Sequence, residues 1–194
     1  MMTKYSTIIV FLCTLLMVGG FFYPFWQIVL EAPQYPEGLS MQIWVSGLSG
    51  NVEQINGLNH YIGMKHIHAE DFPEFRIIPF VLGAIIITGL ITTLKRSVKW
   101  LKGLCIFLLS FGIVGAIDLY RWEYDYGHNL DPTAAIKVPG MTYQPPLLGY
   151  KQLLNFLAGS FPDTGGYLVI IPALIIIGVL VFEIRRKKQQ YELA

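Results

Sequence analysis

Met64, His66 and His68 alternate along one short stretch, Met64-Lys65-His66-Ile67-His68-Ala69-Glu70-Asp71, and His60 precedes Met64 by one helical turn. In an extended chain alternate side chains share a face, so the thioether and both imidazoles point the same way. Imidazole with thioether is a ligand set suited to copper, whereas calcium and magnesium want oxygen. His60, Met64, His66 and His68 are therefore the candidate metal ligands. His128 and Met141, from a distant segment, are possible further donors. Zinc held by His66, His68 and an acid such as Asp71 is the competing metal reading. A solvated loop, with His60 only capping its helix, is the reading without metal. Histidine also titrates near neutral pH, which leaves pH sensing open.

The elements that must position these residues follow from hydropathy. A hydrophobic fraction of 54% and a mean hydropathy of +0.51 are too apolar for an ordinary soluble domain of 194 residues. Four stretches have the length and composition to cross a bilayer as helices: residues 6–30, 77–94, 103–119 and 167–184. The first is too long for a signal-peptide core and lacks a small-x-small cleavage site, so it is expected to be retained. Nine of the fourteen basic residues flank the spans on one side, at Lys4, 95–102 and 185–188, while ten of the thirteen acids and all four histidines fall in segments 31–76 and 120–165. Lipid-flanking Lys and Arg stay in the cytoplasm, so both termini are inside and both rich segments face outward. The acidic balance of the outer segments does not suit nucleic acid. Cys13 and Cys105 lie within spans, which leaves no outer disulfide.

The expected fold is an α-helical membrane protein of four transmembrane helices, N-in/C-in, whose two extracytoplasmic segments form a small α+β cap. The chain divides into two helical hairpins, 1–97 with outer segment 31–76 and 98–194 with outer segment 120–166. In the first outer segment, 40–45 reads as a strand, Asn51 opens a capping box, and Val52, Ile55, Leu58 and Ile62 mark an amphipathic helix closed by Gly63. In the second, 135–138 reads as a strand and 148–158 as a helix closed by Gly159. Leu58–Gly63 parallels Leu154–Gly159, Phe72-Pro73-Glu74 parallels Phe161-Pro162-Asp163, and Ile77-Ile78-Pro79 parallels Ile170-Ile171-Pro172. The shared order suggests a parallel internal repeat. Trp44, Tyr61, Trp122 and Tyr150 are expected near the headgroups. The pairs Gly112/Ala116 and Ala84/Thr88 would let helices approach within the bundle.

No span carries an ionisable residue near its middle, which disfavours pumps and proton-coupled transport. The sequence lacks His-Glu-x-x-His, Gly-x-Ser-x-Gly and the Gly-x4-Gly-Lys phosphate loop. Asp163-Thr164-Gly165 has no second copy with which to share a proton. The expectation is a protein that is not an enzyme. Tyr120-Arg121-Trp122-Glu123-Tyr124-Asp125-Tyr126 reads as an interfacial belt, or else as a docking surface, since Tyr, Trp and Arg dominate binding hot spots.

Tyr35-Pro36-Glu37-Gly38-Leu39, then Ile55-Asn56-x-Leu58-Asn59-His60-Tyr61-Ile62-Gly63-Met64, and the run from Pro145 to Phe156 resemble small multi-pass inner-membrane proteins of bacterial nitrous-oxide-reductase and copper-maturation systems. The resemblance covers both outer segments. It implies a bacterial inner-membrane protein whose outer side is the periplasm, serving denitrification beside a periplasmic copper enzyme. The expected function is that of an accessory membrane protein, handling copper or docking the enzyme or its electron donor. A metal-free membrane scaffold that recognises a periplasmic partner protein is the alternative.

Overall fold

The computed structural model describes residues 1–136 and 138–192. Four helices in it are long and apolar enough to cross a membrane. The first is α1 (Lys4–Met17), which Thr3 caps by accepting from the Ser6 amide at 3.1 Å. A short 3-10 turn, Val18–Phe21, carries it on before Pro24 ends the run. The chain then enters strand β1 (Trp26–Ala32). This corrects the expectation that the first span reaches residue 30. Trp-Gln-Ile-Val-Leu is apolar enough for lipid, but β-branched and aromatic residues beyond a proline favour a strand.

Strands β2 (Tyr35–Trp44) and β3 (Gly47–Gly50) follow, then helix α2 (Val52–Ile62). Helix α3 (Glu74–Lys95) returns through the bundle, and α4 (Val98–His128) crosses again. Strands β4 (Gly149–Leu153) and β5 (Phe156–Pro162) lead into the final helix α5 (Thr164–Glu192).

All five strands form one antiparallel sheet in the order β3-β2-β1-β5-β4. β1 is central. It pairs with β2 from its own hairpin, Ile28 opposite Met41, and with β5 from the other, Ile28 opposite Ser160. The two inter-helix segments therefore share one sheet and make one cap. Its core gathers Ile28, Leu39, Met41, Ile55, Ile67 and Tyr126, with α2 and the end of α4 laid against the sheet.

The second segment departs from expectation. Residues 148–158 form a strand hairpin, not a helix. Its two-residue loop is Leu154-Asn155, and Leu154 takes φ 55°, a conformation usually given to glycine. Ala135, Ile136 and Val138 are not in a strand, and Lys137 lies outside the described residues. Leu58–Gly63 ends a helix whereas Leu154–Gly159 turns a hairpin, so the expected repeat does not extend to the conformation of the cap. Asn51 makes no capping bond either. Its Oδ1 accepts from the Ser40 amide at 3.1 Å and ties α2 to β2.

In the bundle, Val10, Leu82, Ile85, Leu101, Leu104 and Ile176 meet at the centre, all nearly inaccessible. Ile8, Phe80, Ile106, Ile113, Leu174 and Phe182 face outward, as lipid contact requires. The closest small-residue approach is Gly89 against Thr14, not either expected pair; Gly112, Ala116 and Ala84 are exposed. At the basic end, buried Glu183 accepts from the Thr3 amide at 2.7 Å and from Arg186 at 2.8 Å, while the Met2 amide donates to the Arg96 carbonyl at 2.8 Å. The N-terminus, the α3–α4 turn and the Glu183 and Arg186 stretch of α5 thus lie together, opposite the cap.

The β1–β5 register makes Gln27 and Phe161 direct neighbours. Directly opposed residues of an antiparallel pair lie within disulfide range. Gln27→Cys with Phe161→Cys, in a background where Cys13 and Cys105 are serine, should oxidise to an internal cross-link visible as a mobility shift. Absence of the cross-link under mild oxidant would refute the joined sheet.

Candidate functional site

The histidine stretch is held from beneath by buried amides. Asn56 Nδ2 donates to the Ile67 carbonyl at 3.0 Å, and Asn56 Oδ1 accepts from the Ile67 amide at 2.7 Å. One side chain thereby supplies the pairing that a neighbouring strand would give. Asn56 is 1% exposed, so these bonds are shielded from water. Tyr126 Oη donates to the His66 carbonyl at 3.2 Å, and Lys65 Nζ pairs with Asp125 at 2.7 Å. Hydrogen bonds from Lys65, then Asn129, hold the Asp125 carboxyl below its ordinary range.

Alternation then does what the sequence implies. Ile67 turns into the cap core and His66 and His68 turn out. Their rings stack with centroids 6.0 Å apart. His60, from the last turn of α2, brings its ring to 6.0 Å from His66, nearly edge-on. Gly63 makes this turn possible. It closes α2 at φ 79°, and its carbonyl accepts from the Asp131 amide at 2.8 Å. A side chain there would meet Ala134 and the Asp131 carbonyl at 2.9 Å. The 129–134 loop therefore seats directly on the helix end.

The result is a cleft of about 340 Å³ lined by His60, Met64, His66, Lys65, Asn129 and Asp131 among others. Met64 lines the same cleft as His60 and His66. It is half-buried and lines both this cleft and a cavity inside the cap. His68 stands beside His66 outside the cleft lining. His128 stacks on Tyr124 at 3.8 Å, and neither it nor Met141 lines the cleft. Among the described residues, no group of three or more His, Cys, Asp or Glu side chains forms a ready metal site. That also covers the zinc set with Asp71.

The aromatic run divides by helical face. α4 is about 46 Å long at 1.5 Å per residue, well beyond the ~30 Å hydrocarbon core. Its last two turns, past residue 119, rise into the cap. There Trp122 and Tyr126 pack on each other at 5.0 Å and on Phe72 at 5.5 and 6.3 Å, forming cap core in place of a belt. Tyr120 and Tyr124 remain exposed on the other face.

Between Trp122 and Tyr126 lies the residue that sequence reading missed. Glu123 is fully buried in the cap, and among the described residues neither carboxyl oxygen has a hydrogen-bond partner. The Ser160 hydroxyl acts on this carboxyl, but it also accepts from Trp26 Nε1 at 2.7 Å and donates to the Leu147 carbonyl at 3.3 Å. Burial pushes the carboxyl up to about 8, with Ser160 and Lys151 opposing that only in part. The spacing carried a trace of this: Trp122, Glu123, Tyr126 and Gly127 lie on one helical face, and all but Glu123 suit a core.

No protein-family model matches this sequence, and no curated protein or solved structure is significantly similar to it.

A carboxyl raised from 4.5 to about 8 by burial binds a proton in the folded state that the unfolded chain has released. Its contribution is fully present below about 4.5 and is lost as pH rises to about 8. Thermal unfolding in detergent should show stability falling across that window, and Glu123→Gln should flatten the fall. An unchanged profile in the variant would show that Glu123 is not the titrating group.

Proposed function

We propose that this chain is an accessory integral membrane protein of a periplasmic respiratory copper enzyme, of the nitrous-oxide-reductase type, and that its cap holds or passes copper. The observation that carries the reading is the gathering of His60 and His66 on one cleft with the Met64 thioether, His68 adjoining. Two imidazoles on opposite sides of one ion, each at about 2 Å, place their centroids about 6 Å apart. The His60–His66 spacing of 6.0 Å is of that size. Imidazole and thioether favour Cu(I) among available metals. The basic residues at the far end of the bundle support a cap on the periplasmic side of the bacterial inner membrane.

A second reading rests on a different observation. Tyr120 and Tyr124 form one exposed row on α4, with the His128 ring stacked against Tyr124. That row favours a metal-free scaffold that docks a periplasmic protein through aromatic contacts.

Cu(I) titration of the untagged, detergent-purified protein against a competing chelator separates the two. The copper reading expects one saturable site, weakened at least about tenfold, ~1.4 kcal/mol, by Met64→Leu with His66→Ala. Affinity unchanged by the double substitution, or no binding by the parent protein, would overturn the copper role and favour the scaffold.

A further inference from the structure

His66 belongs to two histidine pairs at once. Its ring centroid lies 6.0 Å from that of His60 and again 6.0 Å from that of His68. Backbone anchors set both separations. Asn56 grips Ile67 through bonds of 3.0 and 2.7 Å, which fixes residues 66 and 68 as alternate positions of one extended stretch. Tyr126 holds the His66 carbonyl at 3.2 Å. His60 sits in the last turn of α2, and the Asn59 carbonyl accepts from the Met64 amide at 2.9 Å, tying that turn to the start of the stretch.

An ion between two imidazole nitrogens, each at about 2 Å, needs a centroid separation of about 6 Å. Both pairs meet that requirement. Their ring planes differ by 75° and by 25°. A two-coordinate ion accepts either angle, because each ring can twist about the line from nitrogen through metal to nitrogen. The three imidazoles therefore offer two stations for one ion, with His66 common to both.

The stations are unequal. The inner one, His60 with His66, shares its cleft with the Met64 thioether and is bordered by Asn129 and Asp131. The outer one, His66 with His68, has two imidazoles only. All three rings reach water, but His68 alone lies clear of the cleft wall. Three donors hold Cu(I) more tightly than two, so the ion rests at the inner station and occupies the outer one in passing. Moving inward breaks the bond to the His68 nitrogen and forms bonds to the His60 nitrogen and the Met64 sulfur. The bond to His66 persists. Copper stays Cu(I), no electron moves, and the imidazoles act as neutral ligands.

We infer that His68 is the transfer ligand of the cleft: Cu(I) is received and given up at the His66–His68 pair and rests on His60, Met64 and His66. The inference rests on the copper reading proposed above, and it gives His68 a kinetic role in place of a supporting one.

The test loads the full-length protein in detergent with an equivalent of Cu(I). Transfer to bathocuproine disulfonate is followed by stopped-flow absorbance, and equilibrium affinity is measured against the same chelator. His68→Ala should keep its affinity within about threefold of the parent while slowing loading and release alike, at least about tenfold. His68→Met, which keeps a Cu(I) donor at that position, should restore the rate. His60→Ala should behave in the opposite way, with affinity at least about tenfold weaker and release faster. Parental transfer rates in His68→Ala would overturn the inference and leave copper binding intact. An affinity loss in His68→Ala as large as in His60→Ala would make His68 a resident ligand and overturn it too. Slow transfer that His68→Met fails to rescue would assign the effect to local structure, again overturning it. A parent protein that binds no Cu(I) would overturn the copper reading and the inference together, an outcome distinct from the other three.

Discussion

The fold depends on the hydrogen-bond ladder along β1. This strand directly follows the first membrane helix, and each of its edges is taken by a different half of the chain. A lone outer segment could not bury enough apolar surface to be stable. With β1 between β2 and β5, the two segments become one sheet, and that sheet gives α2 and the end of α4 a surface to cover. Pro24 is what frees these residues from the helix.

Everything at the candidate site is borrowed from that platform. Asn56 clamps Ile67 because α2 lies on the sheet, and the clamp turns His66 and His68 outward. The last turns of α4 cross the same surface, supplying Tyr126 to the His66 carbonyl and Glu123 to the cavity. Cleft and cavity are thus two faces of one packed layer, with Met64 between them. Lys65 and Asp125 join the layers at the surface, where an exposed ion pair adds little stability but helps to set the register of the loop.

Much of this was legible in the chain. The membrane helices stand out because the bilayer demands about twenty apolar residues in a row. Helix α2 and its stop at Gly63 follow from helical spacing and a left-handed cap. The grouping of His60, His66 and His68 follows from alternation plus one helical turn. Other features depend on partners distant in sequence. Residues 26–30 suit lipid and sheet equally, and only pairing with β5 decides. The 149–162 hairpin hides because Leu154 stands where a glycine would announce the turn. Leucines at helical spacing there mimic an amphipathic helix. Glu123 reads as an interfacial charge because nothing local reveals that the sheet covers it.

Both inter-helix segments form a single cap on the face opposite the basic α3–α4 loop. Single cysteines at His68, Lys151 and Lys99, in a chain whose native cysteines are serine, can be probed in intact cells with a membrane-impermeant maleimide. Positions 68 and 151 should label together from outside, and position 99 only after permeabilisation. Labelling of 68 and 151 from opposite sides of the membrane would contradict the account.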